Sequence, residues 1–269
     1  MSVSRLLAIA PTGVQPSVNL TVPQARVLPN SKTVHVWQLQ CSALQPVKSY
    51  WQTWLAPDEV DRLQQYQRPA DRDRFICSRG GLRYLLAGYL GQPPAAIRLG
   101  YGAYGRPHLL SNPAPLQFNI AHSGDWVIIG FSRCAYTGVD VEVLQPRQRL
   151  QSLIQRCLTP EEQAALALDS TTQLTHFLQY WTLKEAHLKA LGLGLSYPLQ
   201  QVQVTLQPKP AIICPAHLPD SSLTDWYVEL WQPDPQAIAA VCIGQAACDI
   251  QLFDLATTAT VSDRQHSGV

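Results

Sequence analysis

A short internal match limits how this chain can fold. Leu55-Ala56-Pro57-Asp58-Glu59 is answered 103 positions later by Leu158-Thr159-Pro160-Glu161-Glu162, and Leu63 by Leu166. Each copy reads as a helix start, with proline in the first turn, where its missing N–H costs nothing, and acids where the helix dipole favours them. A longer helical pattern follows each copy, Asp71 to about Leu90 and Thr171 to about Leu191, closed by Gly91 and Gly192. Two related halves are the simplest reading, although proline followed by acids opens many unrelated helices. At 269 residues with 46% hydrophobic residues, the chain can bury one large core or two smaller ones.

Strand signals fill the rest. Val34–Leu39, Trp126–Phe131, Thr137–Val143, Val202–Leu206, Trp226–Trp231 and Ala237–Ile243 are short, rich in β-branched or aromatic residues, and bounded by turn formers. Helices cluster between runs of strands instead of alternating with them, which predicts an α+β fold. Residues 1–32 hold four prolines among small polar residues and predict an irregular lead-in; 256–269 predict a loose tail. The two halves are then expected over 33–145 and 146–255.

Twenty Lys and Arg against nineteen Asp and Glu leave a net charge of +1, so no global field attracts nucleic acid or an anionic membrane. No segment reaches the roughly 18 consecutive apolar residues of a membrane helix. The seven cysteines never form a CxxC pair and read as reduced core residues of a cytoplasmic protein.

Thr137-Gly138-Val139-Asp140-Val141-Glu142-Val143 alternates apolar and acidic residues, so a strand puts Asp140 and Glu142 on one face. A solvated acidic face suits this pattern; so does a magnesium site, in which one or two carboxylates share the ion with phosphate and water. On the second long helix Leu174, Phe177, Leu178, Trp181 and Leu188 form one apolar stripe, with Glu185 in its middle. Burying that carboxylate alone costs several kcal/mol, so it calls for a cation: Lys189 one turn on, Lys184 beside it, or a metal shared with Asp140 and Glu142. Other candidates are His122 at a strand end, Arg74, Arg79 and Arg83 on the first long helix, and Arg106 in the turn Tyr104-Gly105-Arg106-Pro107. A structural role is the commoner one for a histidine in a turn, and a solvated surface position for the helix arginines.

Together these pieces resemble the surfactin-synthetase-activating class of 4'-phosphopantetheinyl transferases. Its two most specific signatures stand here as Gly138-Val139-Asp140-Val141-Glu142 and as Trp181-Thr182-Leu183-Lys184-Glu185-Ala186-His187-Leu188-Lys189. Tyr104-Gly105-Arg106-Pro107 and Phe118-Asn119-Ile120-Ala121-His122-Ser123 match two flanking motifs, and the resemblance spans roughly 35 to 250. It implies a pseudo-twofold pair of α+β halves with coenzyme A and magnesium in the cleft between them. Asp140, Glu142 and Glu185 would be the metal ligands. Arg106 and His122 would contact the nucleotide and its phosphates, Lys189 would face the pyrophosphate, Lys184 would be a further coenzyme-binding residue, and Arg74 and Arg79 would lie near the 3'-phosphate. Ala121 departs from a serine common in the family, and Glu59 stands where some members carry a basic residue.

The implied partners are apo acyl or peptidyl carrier proteins of fatty acid, polyketide or nonribosomal peptide assembly. A monomer is expected, since both halves lie in one chain. The reaction would move 4'-phosphopantetheine to a carrier serine and release adenosine 3',5'-bisphosphate, with Glu185 as base, Lys189 beside the leaving group, and Glu162 as a weaker candidate for the base. Another magnesium phosphotransferase or nucleotide hydrolase would use the same acids, while a non-catalytic carrier-binding protein would show no magnesium dependence.

Overall fold

Turn and cap chemistry divides the chain into its elements. The computed structural model describes residues 25–102, 104–112, 114–166, 170–194, 197–214 and 225–255. Most of the expected lead-in and all of the expected tail lie outside them. In chain order the main elements are β1 (Thr33–Gln40), α1 (Lys48–Gln52), α2 (Pro57–Gln65), α3 (Pro69–Leu90), β2 (Leu99–Tyr101), β3 (Pro107–Leu109), β4 (Gln117–Ser123), β5 (Trp126–Ser132) and β6 (Thr137–Val143). There follow α4 (Leu150–Cys157), α5 (Pro160–Ala165), α6 (Ser170–Leu191), β7 (Gln203–Thr205), β8 (Ala211–Cys214), β9 (Tyr227–Trp231), β10 (Ala237–Ile243) and β11 (Asp249–Asp254). Proline opens α2, α3 and α5, and α3 ends on Gly91 in the left-handed conformation at φ 63°. That conformation is cheap only without a Cβ.

The two larger sheets run β11-β1-β5-β4 and β6-β10-β9. Their alternation builds three cores. Trp37 and Leu39 of β1 and Val127, Ile129 and Phe131 of β5 pack with Leu82, Leu85 and Tyr89 of α3. The opposite faces of the same strands, Val34, Val36 and Ile128, meet Val139 and Val141 of β6 and Ala239 and Val241 of β10. The far side of β10, Ile238, Ala240 and Cys242, packs with Phe177, Leu178, Leu183 and Leu188 of α6. The layers are therefore helix, sheet, sheet, helix, and burial on both faces explains why β5 is apolar up to its closing Ser132.

This is the mixed α+β architecture that the clustering of helices predicts. Both sheets recruit strands from distant parts of the chain: β11 pairs in parallel with β1, and β6 pairs antiparallel with β10. Sequence patterning does not foresee β2, β3, β8 and β11; β11 opens and closes on aspartate, a poor strand former. Of the seven cysteines, Cys41, Cys77, Cys134, Cys157, Cys242 and Cys248 are free thiols.

Candidate active site

The site begins where α6 lies on β6. A Cβ at Gly138 would fall 1.9 Å from the carbonyl oxygen of Ala186 and 2.5 Å from the nitrogen of Ala190, so only glycine lets helix and strand backbones touch here. That contact carries Glu185 and Lys189, 40° apart around an ideal helix, over the strand face that bears Asp140 and Glu142. A second fastening comes from Asn119 of β4, whose Oδ1 accepts from the Val139 amide at 3.0 Å. It holds the end of β4, with His122 and Ser123, against β6.

Lys189 bonds Asp140, with Nζ 2.5 Å from Oδ1. The simple Glu185–Lys189 helix pair is therefore not how Lys189 is used. Asp140 is 5% exposed and its Oδ2 has no partner; Glu185 is 4% exposed and its Oε1 has none either. Burial pushes Asp140 up to about 6, against the pull of Lys189 and with a further push from Glu142. Burial likewise pushes Glu185 up to about 7, with Asp140 adding to the rise, Lys189 opposing it and Glu142 adding a little more. Each of the two buried acids thus feels the charge of Glu142, and Glu185 that of Asp140 as well, so the three carboxylates lie within electrostatic range of one another.

Glu142 completes the group. Its Oε2 accepts from Ser123 Oγ at 3.2 Å and from Arg147 Nη2 at 2.5 Å. Among the described residues no three His, Cys, Asp or Glu side chains are gathered as a ready metal cage. What the structure offers instead is two buried carboxylate oxygens with no partner, beside a third carboxylate. All are hard oxygen donors, and they fit a magnesium ion that draws its remaining ligands from phosphate and water.

A basic rim flanks these acids. Arg79 is 7% exposed, lies over the rings of Phe75 and Tyr101, and leaves Nε and Nη1 buried without partners. Such idle donors suit an anion. Arg74 bonds Asp71 and reaches the Gly124 carbonyl at 3.3 Å. His122 is exposed as a residue, yet desolvation by the surrounding protein, followed by the charge of Arg74 and, against an opposing backbone hydrogen bond, those of Lys189 and Arg79, holds it below the ordinary imidazole range.

Three sequence-derived candidates are occupied elsewhere. Arg106 donates to the carbonyls of Lys189 (3.0 Å), Ala190 (3.3 Å), Phe118 (3.3 Å) and Thr137 (3.1 Å), so it clamps the end of α6 to β4 and β6 instead of presenting a free guanidinium. Lys184 lies 100° around the helix from Glu185. It is fully buried against Glu162 at 2.5 Å and the carbonyls of Cys157 and Leu199, away from the acids. Arg83 is buried as well, bonded to Glu59 at 2.8 Å and to the carbonyls of Pro94 and Ile97. Glu59 is thus that arginine's counter-ion, and Glu162 caps α5 instead of facing the site. Arg147 escapes sequence reasoning because nothing in the pattern around it marks it off from a solvated arginine.

Residues 42–133 match the model of the 4'-phosphopantetheinyl transferase N-terminal domain, and residues 136–242 match that of the 4'-phosphopantetheinyl transferase superfamily. 4'-Phosphopantetheinyl transferase HetI of Nostoc sp. is 32% identical over 79% of this chain and 88% of its own. A phosphopantetheinyl transferase of Thraustochytrium sp. is 28% identical over 80% of each. 4'-Phosphopantetheinyl transferase Sfp of Bacillus subtilis is 28% identical over 71% of this chain and 82% of its own. The chain belongs to the 4'-phosphopantetheinyl transferase family.

Proposed function

We propose that this protein transfers the 4'-phosphopantetheine arm of coenzyme A to a serine of an acyl or peptidyl carrier protein and releases adenosine 3',5'-bisphosphate. The observation that carries this reading is the facing pair Asp140 and Glu185, both buried, both with an unpartnered oxygen, set beside cations that can hold phosphate. Asp140, Glu142 and Glu185 would hold magnesium, whose charge, when bound, neutralises the pyrophosphate oxygens on which charge builds. Glu185 accepts the serine proton as the serine oxygen bonds to the β-phosphorus and the bond from that phosphorus to the bridging oxygen breaks. Lys189 offsets charge on the departing bisphosphate. Arg79, Arg74 and His122 bind the nucleotide phosphates.

The halves 33–145 and 146–255 are read as related by a pseudo-twofold, with the cleft between them. Support comes from the helix pairs: Glu59 of α2 pairs with Arg83 of α3, and Glu162 of α5 pairs with Lys184 of α6. The two family models, one on each part of the chain, support a two-part, Sfp-like arrangement. With both halves in one chain the protein acts as a cytoplasmic monomer. Among the described residues no helix is long and apolar enough to cross a membrane.

The test is to incubate the protein with coenzyme A, magnesium and a panel of apo carriers, then weigh the carriers. A gain of one phosphopantetheine, abolished by Ser→Ala at the carrier site and by chelation, is expected. Release of bisphosphate with carrier mass unchanged would mark a hydrolase instead.

A further inference from the structure

Arg147 stands just past β6, five residues beyond Glu142, and no part of the proposed reaction uses it. Its guanidinium meets Glu142 Oε2 at 2.5 Å, with the arginine side chain 32% exposed and the glutamate 18%. The scaffold ion pairs of this protein look different. Arg83 spends its donors on Glu59 and two carbonyls, and Lys184 on Glu162 and two carbonyls, all of them sealed from solvent. Arg147 instead leaves its buried Nε without a partner, and among the described residues the other group on the same Glu142 oxygen is Ser123, at 3.2 Å. A partly exposed pair bonded this incompletely costs less to open than the sealed ones.

We infer that Arg147 is an exchangeable counter-cation for Glu142 that sets the affinity of the acid cluster for a divalent ion by competing for the same carboxylate. The inference rests on Asp140, Glu142 and Glu185 being metal ligands. Without metal, each strand acid is neutralised by a cation of the chain, Asp140 by Lys189 and Glu142 by Arg147, which keeps three converging carboxylates tolerable. An incoming ion must share the Glu142 carboxylate with Arg147, whose guanidinium holds Oε2, or displace it, so the arginine weakens metal binding to the free protein. A residue that merely oriented the carboxylate would do the opposite, because removing an orienting partner lowers metal affinity. The sign of the effect therefore decides between the two roles.

The experiment uses the full chain without substrate and Mn2+ as the probe, following the electron paramagnetic resonance signal of free Mn2+ and its recovery on adding Mg2+. Arg147→Gln should bind Mn2+ about threefold to tenfold more tightly than the wild type. Arg149→Gln, which removes an exposed arginine two residues on, controls for net charge and should change binding less than about twofold. Unchanged or weaker binding by Arg147→Gln, with its circular dichroism intact, overturns the inference. Asp140→Ala and Glu185→Ala separate the two layers of the reading. If they lose Mn2+ while Arg147→Gln gains nothing, only the role of Arg147 fails; if they bind like the wild type, the metal site itself is wrong and the inference falls with it.

Discussion

Lys184 and Glu185 are neighbours in the chain, and α6 sends them to opposite kinds of surroundings. Lys184 enters a pocket in which every charge is answered: Glu162 receives its ammonium at 2.5 Å, the amide of Thr159 at 2.8 Å and the amide of Val204 at 2.8 Å. Glu185 enters a pocket in which charge is left unanswered, with a bare buried oxygen facing another carboxylate. Both side chains are buried, so burial does not separate scaffold from site. Saturation does. A fully bonded ion pair holds α5 to α6 and has nothing left for a ligand, whereas a group of acids that is costly by itself stores a demand for a cation.

The sharpest way to break this contrast is Glu185→Gln. It keeps the shape and removes the proton acceptor, and we expect turnover on a carrier protein to fall by about 10² to 10⁴ while coenzyme A still binds. Carrier mass followed over time reads this directly, and a variant retaining more than about a tenth of wild-type turnover would remove Glu185 as the base.

On the scaffold side, Glu162→Ala leaves Lys184 charged and sealed from water. It should cost about 3–5 kcal/mol in urea unfolding, and the double replacement Glu162→Gln with Lys184→Met should recover much of that. A loss under about 1 kcal/mol in the single variant would show that the pair does not hold the fold.

The contrast also has a pH signature. Asp140 and Glu185 have folded-state pKa values raised to about 6 and about 7, so the native protein binds more protons than the unfolded chain between roughly pH 4 and 7. Their contribution to stability is present at the acid end and is lost as pH rises through those values. Free of metal, the wild type should lose about 2–3 kcal/mol relative to Glu185→Gln between pH 5 and 8. Parallel stability curves for the two proteins would contradict the raised values.

The smallest effect separates two arginines. Arg79 has idle buried donors, so Arg79→Ala should raise the KM for coenzyme A about tenfold with little change in Tm, and should narrow the preference for coenzyme A over dephospho-coenzyme A. Arg106→Ala should instead lower stability by about 1–2 kcal/mol, because four carbonyls lose their donor. An Arg106→Ala variant that is stable but blind to coenzyme A would reverse the assignment of roles.

Much of the candidate site is legible in the sequence, because two periodicities carry it. Period two puts Asp140 and Glu142 on one face of β6, and the 100° step of a helix puts Glu185 in the apolar stripe of α6 and Lys189 near it. The same step already sets Lys184 aside from Glu185, a signal that sequence adjacency obscures. The capping acids Glu59 and Glu162 were equally readable as helix starts, though not as buried counter-ions. Periodicity states which face of its own element a side chain takes and says nothing of what lies across from it.

The sequence by itself determined the α+β class, the long helices, the acidic strand and the family, since each rests on local pattern or on contiguous motifs. Only the tertiary structure decided that β11 joins β1, that Arg106 is consumed by carbonyls while Arg79 is left free, and that Arg147 holds Glu142. Those outcomes depend on pairings between residues up to some two hundred positions apart, settled by which buried polar groups find partners once the sheets and helices close.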